Sequence, residues 1–215
     1  MLATRYKTSF NRLIEPIARA LLRVGVTPTP LTLLAPPLAS LACWWFLRTR
    51  AVVPFCVAIT LVACLDGLDG TVARLSNRVT RFGSYLDAMC DRYVEAMVIL
   101  SVAAVTGYWL LSMVVLAGAL LVSYAKARAA MEVSVSNQEW PDLMERMERD
   151  ALFILGLAAS ALLPWRPCGR DLFWWTLLLL AVLIHLTVIQ RILRARRLIR
   201  RRQTPMTKER AADGR

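Results

Sequence analysis

Residues 61–93 read LVACLDGLDGTVARLSNRVTRFGSYLDAMCDRY and place four aspartates at the ends of two apolar segments. Asp66 and Asp69 are spaced i, i+3, and Asp87 and Asp91 are spaced i, i+4. Each of these spacings puts both members of the pair on one face of a helix. Because only a short polar break separates the two segments, the sequence predicts antiparallel helices whose acidic faces meet at one site.

The rest of the chain is too apolar for an ordinary soluble domain. Of its 215 residues 57% are hydrophobic, whereas soluble domains carry roughly 45–50%. The mean hydropathy is +0.49, and no segment shows the period-2 alternation of a barrel strand. The sequence therefore predicts an all-α integral membrane protein with six transmembrane helices. The predicted spans are about 31–47, 51–74, 82–106, 108–128, 150–164 and 172–193.

The net charge of +12 is concentrated at the two ends and in the polar breaks. Residues 1–26 alternate basic and apolar side chains at helical spacing, which predicts an interfacial amphipathic helix with Gly25 as its cap. We expect a six-helix catalytic domain over residues 27–195 and a basic, disordered cytoplasmic tail over 196–215, attracted to anionic lipids. With both termini cytoplasmic, 22 Lys and Arg residues face the cytoplasm and four face the other side. This asymmetry predicts a multi-pass cell-membrane protein rather than a partner of nucleic acid.

Carboxylates inside membrane helices require compensation. Each would cost on the order of 2.5–3.5 kcal/mol near the bilayer centre if it were left unpaired. Oxygen ligands without His or Cys favour Mg²⁺ or Mn²⁺, which normally also bind substrate phosphates. Nearby small residues leave room for a diphosphate at the backbone, and Arg74 is placed to bind a phosphate oxygen. The small residues are Gly67, Gly70, Ala73 and Gly83.

A purely structural interpretation is the alternative. Small residues at such spacing commonly pack membrane helices together, and neighbouring arginines would pair with some of the acids. That interpretation does not explain why four acids recur at helical spacing beside glycines. A cation-coupled transporter would also place acids in membrane helices, but it is expected to repeat them in both halves of the chain. Here they occur only in the second and third segments.

The motif resembles that of a known family. Residues 66–91 fit, without a gap, the pattern D-x2-D-G-x2-A-R-x8-G-x3-D-x3-D of the CDP-alcohol phosphotransferases. Members of the family have an interfacial helix, a proline-containing turn and six membrane helices. The resemblance therefore extends over nearly the whole chain. The resemblance implies a phospholipid-synthesising transferase that moves a phosphatidyl or archaetidyl group from a CDP-linked lipid to an alcohol and releases CMP. One departure is Pro30, where relatives usually carry Asn or Asp for a contact to cytidine.

The resemblance also implies residue roles, and all four aspartates are candidate metal-site residues. Asp66, Asp69 and Asp87 would hold a pair of divalent ions, Mg²⁺ or Mn²⁺. Asp91 would be the catalytic general base that takes the proton of the acceptor alcohol. The family further implies a homodimer and CDP-diacylglycerol or CDP-archaeol as the donor. The implied CDP-lipid site consists of Asp66, Asp69, Gly70, Ala73, Arg74, Gly83 and Ser84.

A second group of basic residues lies at the end of the fourth segment and just before the fifth. It would form a cationic cup for an anionic acceptor, or it is ordinary cytoplasmic charge paired with Glu145, Glu148 and Asp150. The phrases Ser-Tyr-x-Lys-Ala-Arg-Ala and Glu-Arg-x-x-Arg resemble the phosphatidylinositol-phosphate synthase branch. That resemblance favours inositol 1-phosphate as acceptor, with glycerol 3-phosphate as the alternative. The predicted acceptor residues are Ser123, Lys126, Arg128, Arg146 and Arg149.

Overall fold

The protein is seen in a computed structural model that describes residues 15–25, 27–76, 80–132 and 143–213, with side chains described as far as residue 200. Within these ranges the regular structure is α-helical apart from one 3-10 turn, Pro167–Gly169. The all-α prediction is therefore confirmed. The helices are α1 over 15–23, α2 Pro28–Thr49, α3 Val52–Leu75, α4 Arg81–Thr106, α5 Trp109–Glu132, α6 Arg146–Leu162 and α7 Leu172–Asp213.

Left-handed residues end three of the helices and turn the chain sharply. Gly25 has φ +81° and donates its N–H to the Leu22 carbonyl at 3.0 Å, so it ends α1 as the sequence predicts. Arg50 ends α2 with φ 55°, and Gly107 ends α4 with φ 77°. Such turns satisfy carbonyls that a helix terminus leaves open. They leave only a few residues between consecutive long helices.

Among the described residues, four helices are long and apolar enough to cross a membrane, namely α2, α3, α5 and α7. The other two predicted spans, α4 and α6, differ for identifiable reasons. Helix α4 carries four charged side chains between residues 87 and 95, namely Asp87, Asp91, Arg92 and Glu95. With 17 residues, α6 is about 26 Å long at 1.5 Å per residue, against a hydrocarbon core of about 30 Å. The count of six spans stays a prediction.

Aromatic contacts and a close helix approach hold the apolar core together. Phe46 of α2 stacks on Phe55 of α3 with ring centroids 4.1 Å apart. Phe153 of α6 meets Phe173 of α7 edge to face at 5.2 Å. At Gly118 of α5, an added Cβ would lie 2.6 Å from a methyl group of Ile184 in α7. Glycine is therefore needed where α5 and α7 cross.

The arrangement of the helices leaves space beside the motif. Helix α2 packs on both α3 and α4, α6 packs on α3 and α7, and α5 packs on α4 and α7. The two helices that carry the aspartates, α3 and α4, are not among these closely packed pairs. They are held at a distance by α2, and their acidic faces border cavities instead of each other's backbone.

The two ends of the chain depart from or exceed what the sequence predicts. Helix α7 has 42 residues and continues to Asp213, so residues 196–213 are helical where the sequence predicts a disordered tail. Most of these residues are good helix formers, such as Arg, Lys, Glu, Gln, Met and Ala, and they extend a helix already nucleated by packing, whereas Pro205 removes one backbone donor within the segment. Of the predicted interfacial helix, residues 1–14 lie outside the described part of the chain.

Candidate active site

Three of the four motif aspartates converge. Asp66 and Asp69 lie in the C-terminal half of α3, and Asp87 lies in the second turn of α4. A carboxylate oxygen from each lies within 4.8 Å of the other two. The i, i+3 spacing on α3 and the antiparallel return along α4 bring these side chains together, as expected from their helical spacing.

Asp69 is oriented by a residue that the sequence analysis did not single out. The Thr32 hydroxyl donates a hydrogen bond of 2.5 Å to the Asp69 carboxylate. Both side chains are buried, with Asp69 only 4% exposed. Such partners behind a ligand fix the direction in which it presents its free oxygen. Thr32 is 37 residues away in sequence, and only its place just after the proline-containing turn pointed to the site.

The convergent carboxylates fit a divalent ion. All three donors are hard oxygens, which suit Mg²⁺ or Mn²⁺ better than softer metals. Three acids this close and partly buried repel one another when ionised, and a cation between them relieves that repulsion. Asp66, Asp69 and Asp87 are therefore the residues able to hold such an ion.

A cavity of about 350 Å³ opens beside Asp69 and Asp87, between α2, α3 and α4. Its walls combine small, hydroxyl and charged residues, a surface that admits a polar ligand close to the backbone. Six of the seven predicted CDP-lipid residues line it, whereas Asp66 lines a neighbouring cavity. The six are Asp69, Gly70, Ala73, Arg74, Gly83 and Ser84.

The edge of this cavity at α4 is set by a helix cap. The Thr80 hydroxyl accepts a hydrogen bond of 2.9 Å from the Gly83 N–H, which satisfies one open donor of the first turn. An added Cβ at Gly83 would lie 2.9 Å from the same hydroxyl oxygen. Glycine is therefore required for the cap to close, and it also keeps the cavity open at this point.

Arg146, the first residue of α6, connects the remaining aspartate to the cluster. Its guanidinium forms an ion pair with Asp91, lies 3.5 Å from Asp66 and lies 3.4 Å from Asp150. The sequence predicts Arg146 as an acceptor ligand and Asp91 as the general base. The structure brings these two predicted residues into direct contact.

A second, smaller cavity of about 80 Å³ continues from Asp66 and Asp91 into the helix bundle. Of the five predicted acceptor residues, Arg146 and Arg149 line it, and Ser123, Lys126 and Arg128 are not in its lining. Arg128 instead pairs with Glu132 of its own helix at 2.7 Å on the exposed surface.

Glu95 also lines this second cavity and was missed from the sequence. It stands four residues after Asp91, so Asp87, Asp91 and Glu95 continue one acidic face along α4. That spacing was the available signal. The motif ends at Asp91, so the spacing was not followed one turn further to Glu95.

Comparison with known proteins adds an independent observation. A family model described as CDP-alcohol phosphatidyltransferase matches residues 25–189. A phosphatidylinositol phosphate synthase of Corynebacterium glutamicum is 31% identical over 195 residues, covering 85% of this chain and 84% of the relative. An archaetidylinositol phosphate synthase of Pyrococcus horikoshii is 28% identical, covering 86% and 91%.

Solved structures of one relative share the fold. The phosphatidylinositol phosphate synthase of Mycobacterium tuberculosis with CDP-DAG bound has a TM-score of 0.74 and 28% identity, covering 86% of this chain and 94% of that one. A second crystal structure shows that enzyme in complex with manganese and citrate, again with a TM-score of 0.74 and 28% identity, covering 85% and 88%. These matches support a divalent-metal-dependent membrane transferase of phospholipid synthesis.

Proposed function

Because the chain belongs to the CDP-alcohol phosphatidyltransferase family, we propose that it transfers a phosphatidyl group from CDP-diacylglycerol to inositol 1-phosphate. An acceptor hydroxyl oxygen bonds to the phosphorus that carries the lipid. The bond from that phosphorus to the bridging oxygen breaks, and CMP leaves with that oxygen. The products are phosphatidylinositol phosphate and CMP.

The position of two α6 arginines carries this proposal. Arg146 and Arg149 line the same cavity as Asp66 and Asp91. A phosphorylated acceptor would therefore meet guanidinium groups beside the carboxylate that takes its proton. Guanidinium binds phosphate oxygens with two parallel hydrogen bonds, which positions as well as attracts the ligand. The names of the similar proteins favour inositol phosphate over glycerol 3-phosphate as that ligand.

Asp66, Asp69 and Asp87 are the residues we assign to a pair of Mg²⁺ or Mn²⁺ ions. When bound, the ions would offset the charge of the CDP diphosphate and of the phosphoryl group under attack. The protein supplies the rest. Thr32 holds the Asp69 carboxylate in place, and the glycines leave the backbone open to the nucleotide.

Asp91 acts as the general base in this scheme. Its ion pair with Arg146 keeps it from accepting a proton until the acceptor binds. A carboxylate paired with a guanidinium is a poor proton acceptor. An acceptor phosphate that draws Arg146 to itself leaves the Asp91 oxygen to take the hydroxyl proton. Binding of the acceptor and activation of the base are then one event.

The topology that we propose has six spans, with both termini at the cytoplasmic face of the cell membrane. Most charged side chains of α4 and α6 line the site cavities, so these helices can cross the bilayer with most of their charge directed away from lipid. The excess of Lys and Arg at the termini and at the turns on the same side supports the orientation.

The proposal is tested by CMP release from CDP-diacylglycerol by the purified protein with Mg²⁺. Inositol 1-phosphate, glycerol 3-phosphate, serine and inositol are supplied in turn, and CDP-archaeol replaces the donor in a parallel series. We expect inositol 1-phosphate to support release at least about tenfold faster than the other acceptors, a difference of about 1.4 kcal/mol. A preference for glycerol 3-phosphate would overturn the acceptor, and no release with any acceptor would overturn the transfer itself. Chelation should abolish release, and Mg²⁺ or Mn²⁺ should restore it.

A further inference from the structure

Glu95 is a buried acid that neither the motif nor the proposed reaction uses. It lies on α4 one turn beyond Asp91, and its side chain is 8% exposed. It forms an ion pair with Arg92 of the same helix, and its other oxygen lies 3.3 Å from Arg149 of α6. A carboxylate this well buried is seldom found unless it has a specific partner.

Arg149 is also buried, and one of its hydrogen-bond donors has no partner among the described residues. Its side chain is 5% exposed, and its one ion pair in the described part of the chain is with Glu95. Its Nε atom is buried and has no hydrogen-bond partner among the described residues. Buried donors are almost always satisfied in native proteins. Arg149 also lines the second cavity, so an anionic ligand there would meet a guanidinium whose hydrogen-bonding capacity the described residues do not fully use.

Glu95 connects this group of charges across helices. It pairs with Arg92 and with Arg149, and Asp150 of α6 lines the same cavity. Arg92 also donates a hydrogen bond of 3.0 Å to the Ser123 hydroxyl of α5. A single glutamate thus ties together α4, α5 and α6 and contacts, directly or through Arg92, two of the predicted acceptor residues.

We propose that Glu95 is a positioning residue for acceptor recognition. It holds Arg149 directly, and Ser123 through Arg92, so that the remaining guanidinium donors of Arg149 face an anionic group in the second cavity. The chemical class recognised is a phosphate on the acceptor alcohol. The inference rests on the proposed function, in that it takes the acceptor to be anionic. It adds a determinant of acceptor affinity that lies outside the family motif.

The test is the Glu95→Gln variant, which keeps the side-chain volume and removes the charge. We expect the KM for inositol 1-phosphate to rise at least about tenfold, while the KM for CDP-diacylglycerol stays within about twofold of wild type. Glu95→Asp, which retains the charge on a shorter arm, should lie between the two. The matched control is Glu15→Gln, which breaks an exposed ion pair with Arg19 and should change neither KM.

A double-mutant cycle separates positioning from general stabilisation. If Glu95 acts through Arg149, the Glu95→Gln/Arg149→Gln double variant will have the same acceptor KM as Arg149→Gln alone, within about twofold. Additive effects, an unchanged acceptor KM, or equal increases in both KM values would overturn the proposal. If Glu95→Gln cannot be purified folded, Glu95→Asp decides by the same split: a selective rise in acceptor KM supports the proposal, and no selective rise overturns it.

The wild-type assay distinguishes the two levels of inference. If glycerol 3-phosphate proves to be the acceptor, the same variants are measured with it, because the positioning of Arg149 concerns the phosphate shared by both compounds. A wild-type protein without phosphate-dependent CMP release overturns the proposed function and this inference together. A wild-type protein that is active while the Glu95 variants match it overturns this inference alone.

Discussion

The two cavities that meet at the aspartates are built in opposite ways. The cavity between α2, α3 and α4 encloses about 350 Å³ and is lined by small, hydroxyl-bearing and charged residues drawn mostly from one stretch of sequence. The other cavity encloses about 80 Å³ and has a mostly apolar lining from α2 to α7, and charged groups of α3, α4 and α6 in it are already paired across helices. The first is an open space, and the second is a closed network.

This difference separates two ways of binding a phosphate group. In the larger cavity a ligand gains contacts with the backbone and with the carboxylates of Asp69 and Asp87. In the smaller one it has to compete with existing ion pairs, of which Arg146 with Asp91 is the most direct. The cost of that competition is offset only by a ligand with its own negative charge. The smaller cavity can therefore select its ligand and couple binding to release of the base.

The largest effect should come from the cluster of metal-binding carboxylates. We expect Asp69→Asn to lose CDP-lipid binding and to reduce CMP release at least about 10⁴-fold, because it removes a charged metal ligand and weakens the acceptor of the Thr32 hydrogen bond. Direct binding of CDP-diacylglycerol and CMP release measure the two losses. The matched control is Asp171→Asn, an aspartate bonded to Tyr108 and to the Trp174 N–H at 2.8 Å near the opposite ends of α4 and α7. Because Asp171 lines neither cavity, that control should retain CDP-lipid binding.

The next largest effect should distinguish the functions of the two cavities. Asp91→Asn is expected to lower turnover about 10²- to 10⁴-fold, the range of a lost general base, while CDP-lipid binding stays at the wild-type level. The larger cavity does not include Asp91, which is why binding survives. Turnover and CDP-lipid affinity are measured on the same preparation. Substantial activity in Asp91→Asn would refute its assignment as the base.

The smallest effect should come from the helix caps, because each cavity depends on a different one. Thr80 caps α4 at the larger cavity, and Glu148 completes a capping box at the start of α6, accepting the Glu145 N–H at 2.9 Å. Loss of a cap costs about 1 kcal/mol, or about fivefold in affinity. Thr80→Ala should raise the KM for CDP-lipid, and Glu148→Ala should raise the KM for the acceptor. Equal changes in both KM values by either variant would contradict the independence of the two regions.

Most residues of the larger cavity could be predicted from the sequence, because their placement depends on local helix geometry. Helical spacing places Asp66 and Asp69 on one face, and the predicted spans 51–74 and 82–106 agree within a residue with α3 and α4. Small residues at the same place indicated room for a ligand. One exception is Thr32, whose contact with Asp69 depends on how α2 packs against α3.

The smaller cavity could be predicted only in part, because local residue spacing does not indicate which charges pair across helices. Arg146 and Arg149 could be named, yet their partners Asp91 and Glu95 lie 55 and 54 residues away. Arg128 looked equivalent to them in sequence but pairs with Glu132 on the exposed face of α5. Which cation enters the bundle depends on the rotation of each helix about its axis.

Residue spacing was enough to establish that this chain is helical, belongs in a membrane and carries convergent carboxylates for a divalent ion, because hydropathy and helical periodicity act over a few residues. Helix packing alone decided that α2 holds α3 and α4 apart, that Arg146 joins Asp91, and that Glu95 holds Arg149. Those contacts join residues dozens of positions apart. Their formation depends on the crossing of whole helices around a shared core, which no short stretch of sequence contains.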